Sequence, residues 1–355
     1  MTTGASPPAG ADGTGPGTQA TAGGRILLDH GTGAALSREL IEFMVEVLGD
    51  AYTGEMEDSA TLPVPAGRIA MTTDSFVVDP PFFGNGDIGK VAVCGTVNDL
   101  AVVGAEPLYL TLAVILETGL PMADLRRALV SVRDTALEAG VKIVAGDTKV
   151  VGKGEADQIF LNTTGVGVLR RAPKRMTDVR PGDRVIVTGP LGNHTIHLLS
   201  VREGLGFERN VLSDCAPLNG MIASLESAVP EGSVRSMRDV TRGGLAAVLH
   251  EYAATLSRTL RVDEQALPID HETRMAADML GINPIHGANE GCLALFVAQD
   301  AVDRVLHALH AHEYGRRAVV VGEVTEGEPA VELVRADGLV NRLEELRGAE
   351  LPRLC

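Results

Sequence analysis

The sequence predicts an α/β fold of the α+β type, built from two domains and followed by a flexible tail. The chain has 355 residues, more than one hydrophobic core usually supports, so two domains are expected. Segments with helical spacing of apolar residues alternate with segments typical of strands, and 45% of all residues are hydrophobic. A basic, proline-containing stretch at residues 170–181 interrupts this alternation and indicates a domain boundary.

In the first half, apolar residues at helical spacing predict a helix over residues 36–48, which Gly49 ends. The other elements expected there are strands at 68–78, 109–116, 141–145 and 159–169, and helices at 88–103 and 122–139. In the second half we expect strands at 184–188, 293–297, 318–324 and 330–334, and helices at 195–201 and 242–256.

These elements divide the chain into four parts. Residues 1–24 are rich in Gly, Ala, Thr and Pro and lack the basic start and apolar core of a signal peptide, so a disordered extension is expected. Residues 25–178 are predicted to form the N-terminal domain and residues 179–341 the C-terminal domain. The remaining residues, 342–355, are predicted to form a mobile tail.

The composition argues against several classes of function. A net charge of -16, 3% aromatic residues and no tryptophan disfavour nucleic-acid binding, which requires excess Lys and Arg or stacking side chains. No stretch approaches the roughly 18 uncharged apolar residues of a membrane helix. The four cysteines are far apart in sequence and form no CxxC pair, which excludes a zinc knuckle and suits a reducing cytoplasm.

One glycine cluster fits two nucleotide-binding patterns. Residues 84–89 read GxGxxG, and residues 84–90 read GxxxxGK. A dinucleotide-binding fold requires a buried strand directly before the first glycine, but Pro80 and Pro81 precede this one. A Walker-type loop requires Ser or Thr after the lysine, and this chain has Val91. We therefore expect only a helix start here, whose free amides could face an anion.

Asp74 and Asp147 stand at expected strand ends, Asp239 stands just before an expected helix, and Asp99 follows Asn98 within the expected helix at 88–103. Carboxylates gathered in this way suit magnesium and nucleotide phosphates, which require hard oxygen ligands and nearby backbone amides. Each aspartate alone is more often a cap or turn residue than a metal ligand. If residues 147–149 are extended, Asp147 and Lys149 share a face, as a metal ligand with an ammonium beside it or as a surface ion pair.

The last residue of the chain is Cys355. A thiol in this position can move where a loop residue cannot, which suggests chemistry on the tail itself. The cysteine is not fourth from the end, so the prenylation motif is absent. The alternative is a frayed terminus with an incidental cysteine.

Taken together, several segments resemble the HypE family of hydrogenase maturation proteins. These are the carbamoyl dehydratases of the superfamily that includes aminoimidazole ribonucleotide synthetase, selenophosphate synthetase and thiamine monophosphate kinase. The resemblance runs from His30 to Cys355. The residues that carry it are 30–33 (HGTG), 73–80 (TDSFVVDP), 87–90 (DIGK), 94–99 (CGTVND), 146–151 (GDTKVV), 213–215 (SDC), 239–244 (DVTRGG), 289–291 (NEG) and 352–355 (PRLC).

The resemblance implies that the tail is the substrate. A carbamoyltransferase, HypF, would load a carbamoyl group on Cys355, and ATP with Mg²⁺ would activate its oxygen so that dehydration leaves a thiocyanate. The cyanide would then pass to iron on a HypC–HypD complex as a ligand of the [NiFe] hydrogenase centre. The resemblance also implies a homodimer with ATP near the subunit interface.

The same resemblance assigns residues to roles. Cys355, Lys149 and Glu290 would be catalytic, the lysine as a charge or proton acceptor and the glutamate as an acid or base. Magnesium ligands would be Asp74, Asp99 and Asp239. Nucleotide contacts would come from Gly31, Gly33, Asp87, Lys90, Asn98 and Asp147. Without the resemblance, Glu290 would be interpreted as an exposed loop carboxylate.

The chain departs from the family pattern at two places. Ala34 replaces a glycine in the N-terminal loop, where it cannot adopt positive φ cheaply. Asn193 stands where an aspartate is usual. Two other functions remain open on sequence alone: a superfamily kinase or synthetase acting on a free small molecule, and a non-enzymatic metal or sulfur carrier.

Overall fold

The computed structural model describes residues 24–32, 35–54, 59–63, 65–346 and 353–355. Its α-helices are α1 Ala35–Leu48, α2 Ile88–Val102, α3 Met122–Ala139, α4 Asn193–Glu203, α5 Asn219–Ala228, α6 Gly244–Leu256, α7 His271–Leu280 and α8 Val302–His310. Its strands are β1 Arg68–Phe76, β2 Glu106–Glu117, β3 Lys142–Val151, β4 Ile159–Leu169, β5 Arg184–Val187, β6 Val234–Asp239, β7 Thr259–Asp263, β8 Leu293–Val297, β9 Val319–Thr325, β10 Ala330–Val334 and β11 Val340–Arg342.

The first half is a four-stranded sheet in the order β1-β4-β2-β3, with helices on one face. The inner face carries the alternating apolar residues of β2, including Leu110, Leu112 and Val114, which are buried against α2 and α3. The outer face leaves Met71 69% and Ile115 39% exposed. In the part of the chain that the structure describes, this face of the sheet is therefore left uncovered.

The second half is a seven-stranded mixed sheet in the order β11-β10-β7-β9-β5-β8-β6. Strand β8 is buried along its whole length, which agrees with a continuous apolar run packed on both faces. Tyr252 of α6 stacks on Phe296 of β8, with ring centroids 3.9 Å apart. Helices α5 and α8 pack together on another part of this domain.

Helix α2 connects the two halves. It is buried nearly all round, which is typical of a central helix rather than a surface one. Its last turn packs into the core of the second half through Ala101 and Val102. The Asn98 side chain donates to the carbonyl of Ala216 at 3.1 Å and accepts from the N–H of Leu218 at 2.7 Å. The two halves therefore meet along α2.

Several predicted element boundaries are confirmed and others are wrong. The helix at 122–139 and the strands at 159–169, 293–297 and 330–334 match the structure residue for residue. Strand β3 continues to Val151, so Asp147 lies inside a strand rather than at its end. Asp74 likewise lies within β1, Asp99 lies in the body of α2, and Asp239 is the last residue of β6.

The segments expected to be disordered or mobile lie partly outside the described residues, which omit 1–23 and 347–352. Gly24 accepts a hydrogen bond from the N–H of Met122 at 2.9 Å. Arg342 ends β11, and Leu343 is buried in the second core. None of the helices in the described part of the chain combines the length and the apolar character that crossing a bilayer requires.

Candidate active site

Three carboxylates converge where the two halves meet. Asp74 points from the inner face of β1 and accepts a hydrogen bond from Thr96 of α2 at 3.3 Å. Asp99 accepts one from Thr72 of β1 at 2.9 Å. Burial raises the pKa of Asp74, and the neighbouring Asp99 carboxylate raises it further. Burial together with the charges of Asp99 and Asp74 raises the pKa of Asp239 to about 7.

This arrangement suits a hard cation. Mutual repulsion of carboxylates is relieved when a positive charge lies among them. Within the described ranges, no three His, Cys, Asp or Glu side chains are grouped closely enough to hold a metal ion by themselves. Mg²⁺ usually takes one or two carboxylates and completes its shell with water and phosphate oxygens. One or two of the carboxylates of Asp74, Asp99 and Asp239, completed by phosphate oxygens and water, would fit that mode of binding.

A cavity of about 600 Å³ opens beside these carboxylates. Asp99 and Asp239 line it together with the basic side chains of Lys174, Arg175 and Arg238. Its volume is within the usual range for a small-molecule site. A magnesium-bound polyphosphate requires acidic groups for the metal ion and basic groups for the phosphates.

Cys355 lies inside this junction, at the far end of β1. The N–H of Val77 donates to the Cys355 carbonyl at 3.2 Å, and the N–H of Asp79 donates to that of Arg353 at 3.3 Å. Burial raises the pKa of the thiol to about 12, and the nearby Glu290 carboxylate adds to the shift, while Arg242 opposes it. The thiol is therefore protonated near neutral pH in this position.

Side chains also hold the last three residues. Arg353 donates from Nε to the carbonyl of Val77 at 3.0 Å and pairs with Asp157. Arg202 of α4 donates to the Arg353 carbonyl at 3.0 Å. Leu354 is buried in the first core. Residues 353–355 are thus packed, which argues against the alternative of a frayed terminus.

Glu290 is buried beside the thiol, so its interpretation as an exposed loop carboxylate is wrong. It is 3% exposed, and its Oε1 has no hydrogen-bond partner among the residues that the structure describes. Burial raises its pKa well above the ordinary value, and the neighbouring Cys215 and Asp214 raise it further. A buried carboxylate with an unpartnered oxygen is suited to accepting or donating a proton.

The backbone around Glu290 is fixed by Asp214. Asp214 accepts hydrogen bonds from the N–H groups of Glu290 at 3.0 Å and Gly291 at 3.2 Å. It also accepts one from the Asn289 side chain at 2.8 Å. A Cβ at Gly291 would lie 1.8 Å from the Asp214 carbonyl oxygen, so only glycine allows this approach.

Lys149 and Asp147 lie away from this group within one chain. They form an exposed ion pair at 2.7 Å, which lowers the pKa of Asp147. Lys149 pairs with Ile115 and therefore faces the uncovered side of the sheet, whereas Asp74 is on the helix-covered side. Strand β3 is also three strand spacings from β1, about 14 Å.

The predicted nucleotide-binding residues occupy different places. Asp87 caps α2: its Oδ1 accepts from the N–H groups of Gly89 and Lys90, at 2.9 and 3.1 Å, and its Oδ2 accepts from Ser131. These two amides are therefore not free for an anion, contrary to the expectation from the glycine cluster. The neighbouring Cys94 thiol and burial raise the pKa of Cys215 well above its ordinary value, and the Lys90 charge opposes that shift.

The other three are Gly31, Gly33 and Asn98. Gly31 ends a short 3₁₀ helix against β3, where an added Cβ would lie 2.9 Å from that of Val150. Gly33 is outside the described residues, as is Ala34. Both polar atoms of the Asn98 amide are engaged with the second half, as described above.

Sequence reasoning assigned no role to Asn85, His194, Asp214 or Arg242. Asp214 belongs to a segment that carried the family resemblance, and this was a usable signal. His194 follows Asn193, which stands where the family pattern has an aspartate. Asn193 itself contacts Asp270 and Thr273, at 3.0 and 2.6 Å, and not the carboxylates.

Comparisons with known proteins show which family the chain belongs to. Two family models match: AIR synthase related protein, N-terminal domain, at residues 56–169, and AIR synthase related protein, C-terminal domain, at residues 180–334. The sequence is 41% identical over 335 residues to carbamoyl dehydratase HypE of Azotobacter vinelandii, covering 94% of this chain and 98% of that protein. The chain belongs to the HypE carbamoyl dehydratase family.

Solved HypE structures have the same fold. A HypE structure in complex with ATP superposes with a TM-score of 0.88 at 38% identity, covering 93% of this chain and 99% of that one. A HypE–HypF complex gives a TM-score of 0.76 at 42% identity, covering 86% and 99%. The predicted two-domain α/β fold of the aminoimidazole ribonucleotide synthetase type is confirmed, and so is the resemblance to HypE.

Proposed function

We propose that this HypE-family protein dehydrates a carbamoyl group carried on its own Cys355, at the expense of ATP, and so makes a thiocyanate for hydrogenase maturation. The balanced reaction converts S-carbamoyl cysteine and ATP to S-cyano cysteine, ADP, phosphate and one proton. An amide oxygen is a poor leaving group, and phosphorylation converts it to a good one. The C–O bond then breaks as the nitrogen loses its protons and the C≡N bond forms.

The observation that supports this proposal best is the place of the thiol. Cys355 is held by main-chain hydrogen bonds beside Glu290, and the charges of Asp74 and Asp239 act on it. A group on this sulfur would lie between a proton-transfer residue and the carboxylates suited to a phosphate-bound metal. An incidental cysteine would not require such surroundings.

ATP would occupy the cavity of about 600 Å³ between the halves. The ATP complex of a related HypE supports this choice of nucleotide. Mg²⁺ would be held by Asp74, Asp99 and Asp239, where it would neutralise charge on the phosphate oxygens.

Glu290 would transfer the amide protons. Its pKa is raised, so its ionised form is a stronger base than an ordinary glutamate, and its unpartnered Oε1 is free to take a proton. Asp214 would hold it at the sulfur by fixing its backbone. Arg242 would help to balance the negative charge near Cys355.

A role for Lys149 in this reaction requires a second copy of the chain. The lysine lies on the uncovered sheet face together with exposed apolar side chains such as Met71 and Ile115. Burying that face against a second copy would remove these side chains from water, which favours association. We therefore propose a homodimer in which Lys149 of one subunit serves the site of the other.

The tail would also leave the site during the cycle. A thiol with a pKa of about 12 is a weak nucleophile, so carbamoyl loading is expected on the undocked tail. We propose HypF as the donor, in line with the HypE–HypF complex of a relative, and a HypC–HypD complex as the acceptor of cyanide. Cysteine usage supports a cytoplasmic location for this exchange.

The test is the intact mass of the chain after incubation with HypF, its carbamoyl donor and ATP. The expected result is a carbamoyl adduct that loses one water when ATP and Mg²⁺ are present, with no adduct on Cys355→Ala. Cys215→Ala is the matched control, because Cys215 is buried and should leave the adduct unchanged. ATP turnover with an unmodified Cys355 would instead favour a superfamily kinase acting on a free molecule.

A further inference from the structure

A buried histidine joins the last residues of the chain to a loop of the second half. The Nε2 of His194 lies 2.9 Å from the carbonyl oxygen of Leu354, and its Nδ1 lies 2.7 Å from the hydroxyl of Ser213. The His194 side chain has no exposed surface. The Leu354 carbonyl belongs to the peptide bond that carries Cys355, so this contact is one residue from the thiol.

The positions of the protons follow from the partners. A carbonyl oxygen only accepts, so Nε2 of His194 must donate to Leu354. Burial lowers the pKa of His194, which favours the neutral ring, and Nδ1 then accepts from the hydroxyl of Ser213. The Ser213 oxygen in turn accepts from the N–H of Cys215 at 3.2 Å. The serine therefore selects the tautomer that binds the tail.

The serine is itself fixed from the first half. Asn85 donates to the Ser213 carbonyl at 2.8 Å and accepts from the Ser213 N–H at 3.1 Å. Asn85 belongs to the glycine cluster that resembled a phosphate loop, and this clamp gives that cluster a role. The next residue after the serine is Asp214, which fixes the backbone of Glu290. One short loop thus places both the proton-transfer residue and the tail.

We infer that His194 is a positioning residue for Cys355, and that Ser213 orients its ring for that task. The inference rests on the proposed function, because it concerns where the carbamoyl-bearing sulfur lies relative to Glu290. His194 does not take part in the chemistry itself. It holds the last peptide bond so that the thiol points into the site rather than into solvent.

The contribution of the hydrogen bond from His194 to Leu354 can be measured as a change in the fraction of chains whose tail is docked. Losing the Nε2 donor leaves a buried carbonyl without a partner, which shifts an equilibrium by about 10- to 100-fold toward the undocked tail. The remaining contacts, from Val77, Asp79 and Arg202, hold main-chain atoms on other sides of the tail. Docking of the tail is therefore weakened but not abolished in a variant that lacks the Nε2 donor.

The test compares three substitutions with a matched control. His194→Leu removes the donor, His194→Gln restores an N–H donor on a similar side chain, and Ser213→Ala removes the group that sets the tautomer. His197→Leu is the control, because His197 is a buried histidine one turn further along α4 whose ring bonds to Phe83 and Val211 instead of the tail. Iodoacetamide labelling of Cys355 in the intact chain reports docking without any carbamoyl chemistry.

We expect labelling to be about 10- to 100-fold faster in His194→Leu, intermediate in Ser213→Ala, and near the wild-type rate in His194→Gln and His197→Leu. Water loss from the carbamoylated chain should slow in the same order.

Wild-type labelling in folded His194→Leu, an equal increase in His197→Leu, or no recovery in His194→Gln overturns the inference. If His194→Leu does not fold, wild-type labelling of Ser213→Ala overturns it. If labelling changes as expected but the wild type never loses water, the proposed function fails and the anchoring role stands.

Discussion

Asp214 and Glu290 are joined by a main-chain hydrogen bond, in which the Glu290 N–H donates to Asp214 Oδ1 at 3.0 Å. The second carboxylate oxygen accepts from Asn289 and Gly291. Asn289 also donates to the carbonyl of Pro190 and accepts from the N–H of Gly192, so the loop that leads to His194 belongs to the same network. A carboxylate accepts all three bonds around Glu290 because it carries no donor of its own.

Asp214→Asn should therefore disturb both stability and chemistry. An amide has one oxygen and one NH₂ group, so at least one of the three donors would lose its acceptor. We expect a loss of about 1–3 kcal/mol in the free energy of unfolding, measured by urea denaturation, and slower dehydration in single-turnover assays. Asp278→Asn, at an exposed position on α7, is the control. Dehydration at the wild-type rate in folded Asp214→Asn would show that the backbone of Glu290 does not depend on this carboxylate.

Asp74→Asn and Asp239→Asn should each abolish magnesium-dependent ATP hydrolysis. Each substitution removes one negative charge from the group proposed to hold Mg²⁺, while the amide keeps the size of the side chain. Because repulsion between the carboxylates is relieved, the apo protein should not lose stability. Hydrolysis is measured across a magnesium titration, with Asp134→Asn, a surface residue paired with Arg133, as the control. Near-normal turnover in either variant would remove that aspartate from the metal site.

Lys149→Ala and Glu290→Ala should complement each other in mixed dimers. Each variant alone should bind ATP, accumulate carbamoylated chain and fail to lose water. In a mixed dimer, the Lys149→Ala subunit keeps its own Glu290 and receives Lys149 from its partner, so thiocyanate should form on that subunit alone. Mass tags on the two subunits identify the product. If mixed dimers stay inactive while both subunits remain folded, the lysine does not act across the interface.

The sequence was sufficient for the parts of the fold that follow from local patterns. Helix α3 was predicted correctly because its apolar spacing runs from Met122 to the αL residue Gly140, which ends it. Strand β3 was cut short because Gly146 and Asp147 are typical of turns, whereas in the structure β3 pairs with β2 through both positions. Pairing between distant strands overrode the local preference.

The candidate site likewise has parts that the sequence predicts and parts that depend on contacts between distant residues. The family resemblance assigned Asp74, Asp99 and Asp239 to one metal site, and in the structure these carboxylates lie close enough for their charges to act on one another. The position of Glu290 was not predictable from its neighbours, since its backbone is held by Asp214, which is 76 positions away in sequence. The contact of His194 with Leu354 joins residues 160 positions apart, and no spacing rule relates them.

Docking should keep Cys355 protonated above the pH at which a free cysteine ionises. The docked thiol has a pKa of about 12, whereas a free cysteine has a pKa of about 8.5. One pKa unit corresponds to about a tenfold change in the acid dissociation constant. Between these values the undocked tail loses a proton that the docked tail keeps, so rising pH favours undocking. Iodoacetamide labelling of a peptide of residues 346–355 should level off above about pH 8.5, while labelling of the intact chain should continue to rise. Curves of the same shape for both would contradict docking of a partly buried thiol.

Extending the chain beyond Cys355 should slow dehydration even though the thiol remains. The Cys355 carbonyl accepts a hydrogen bond from Val77, and the side chain lies beside Glu290, so added residues must be buried near carboxylates or displace the tail. We expect two added glycines to increase iodoacetamide labelling of Cys355 and to slow water loss from the carbamoylated chain, with ATP binding unchanged. The same two glycines placed before Met1 are the control. An extended chain with full dehydration activity would show that the site accepts an internal cysteine, and the proposal would then depend on the thiol and its neighbours rather than on its position in the chain.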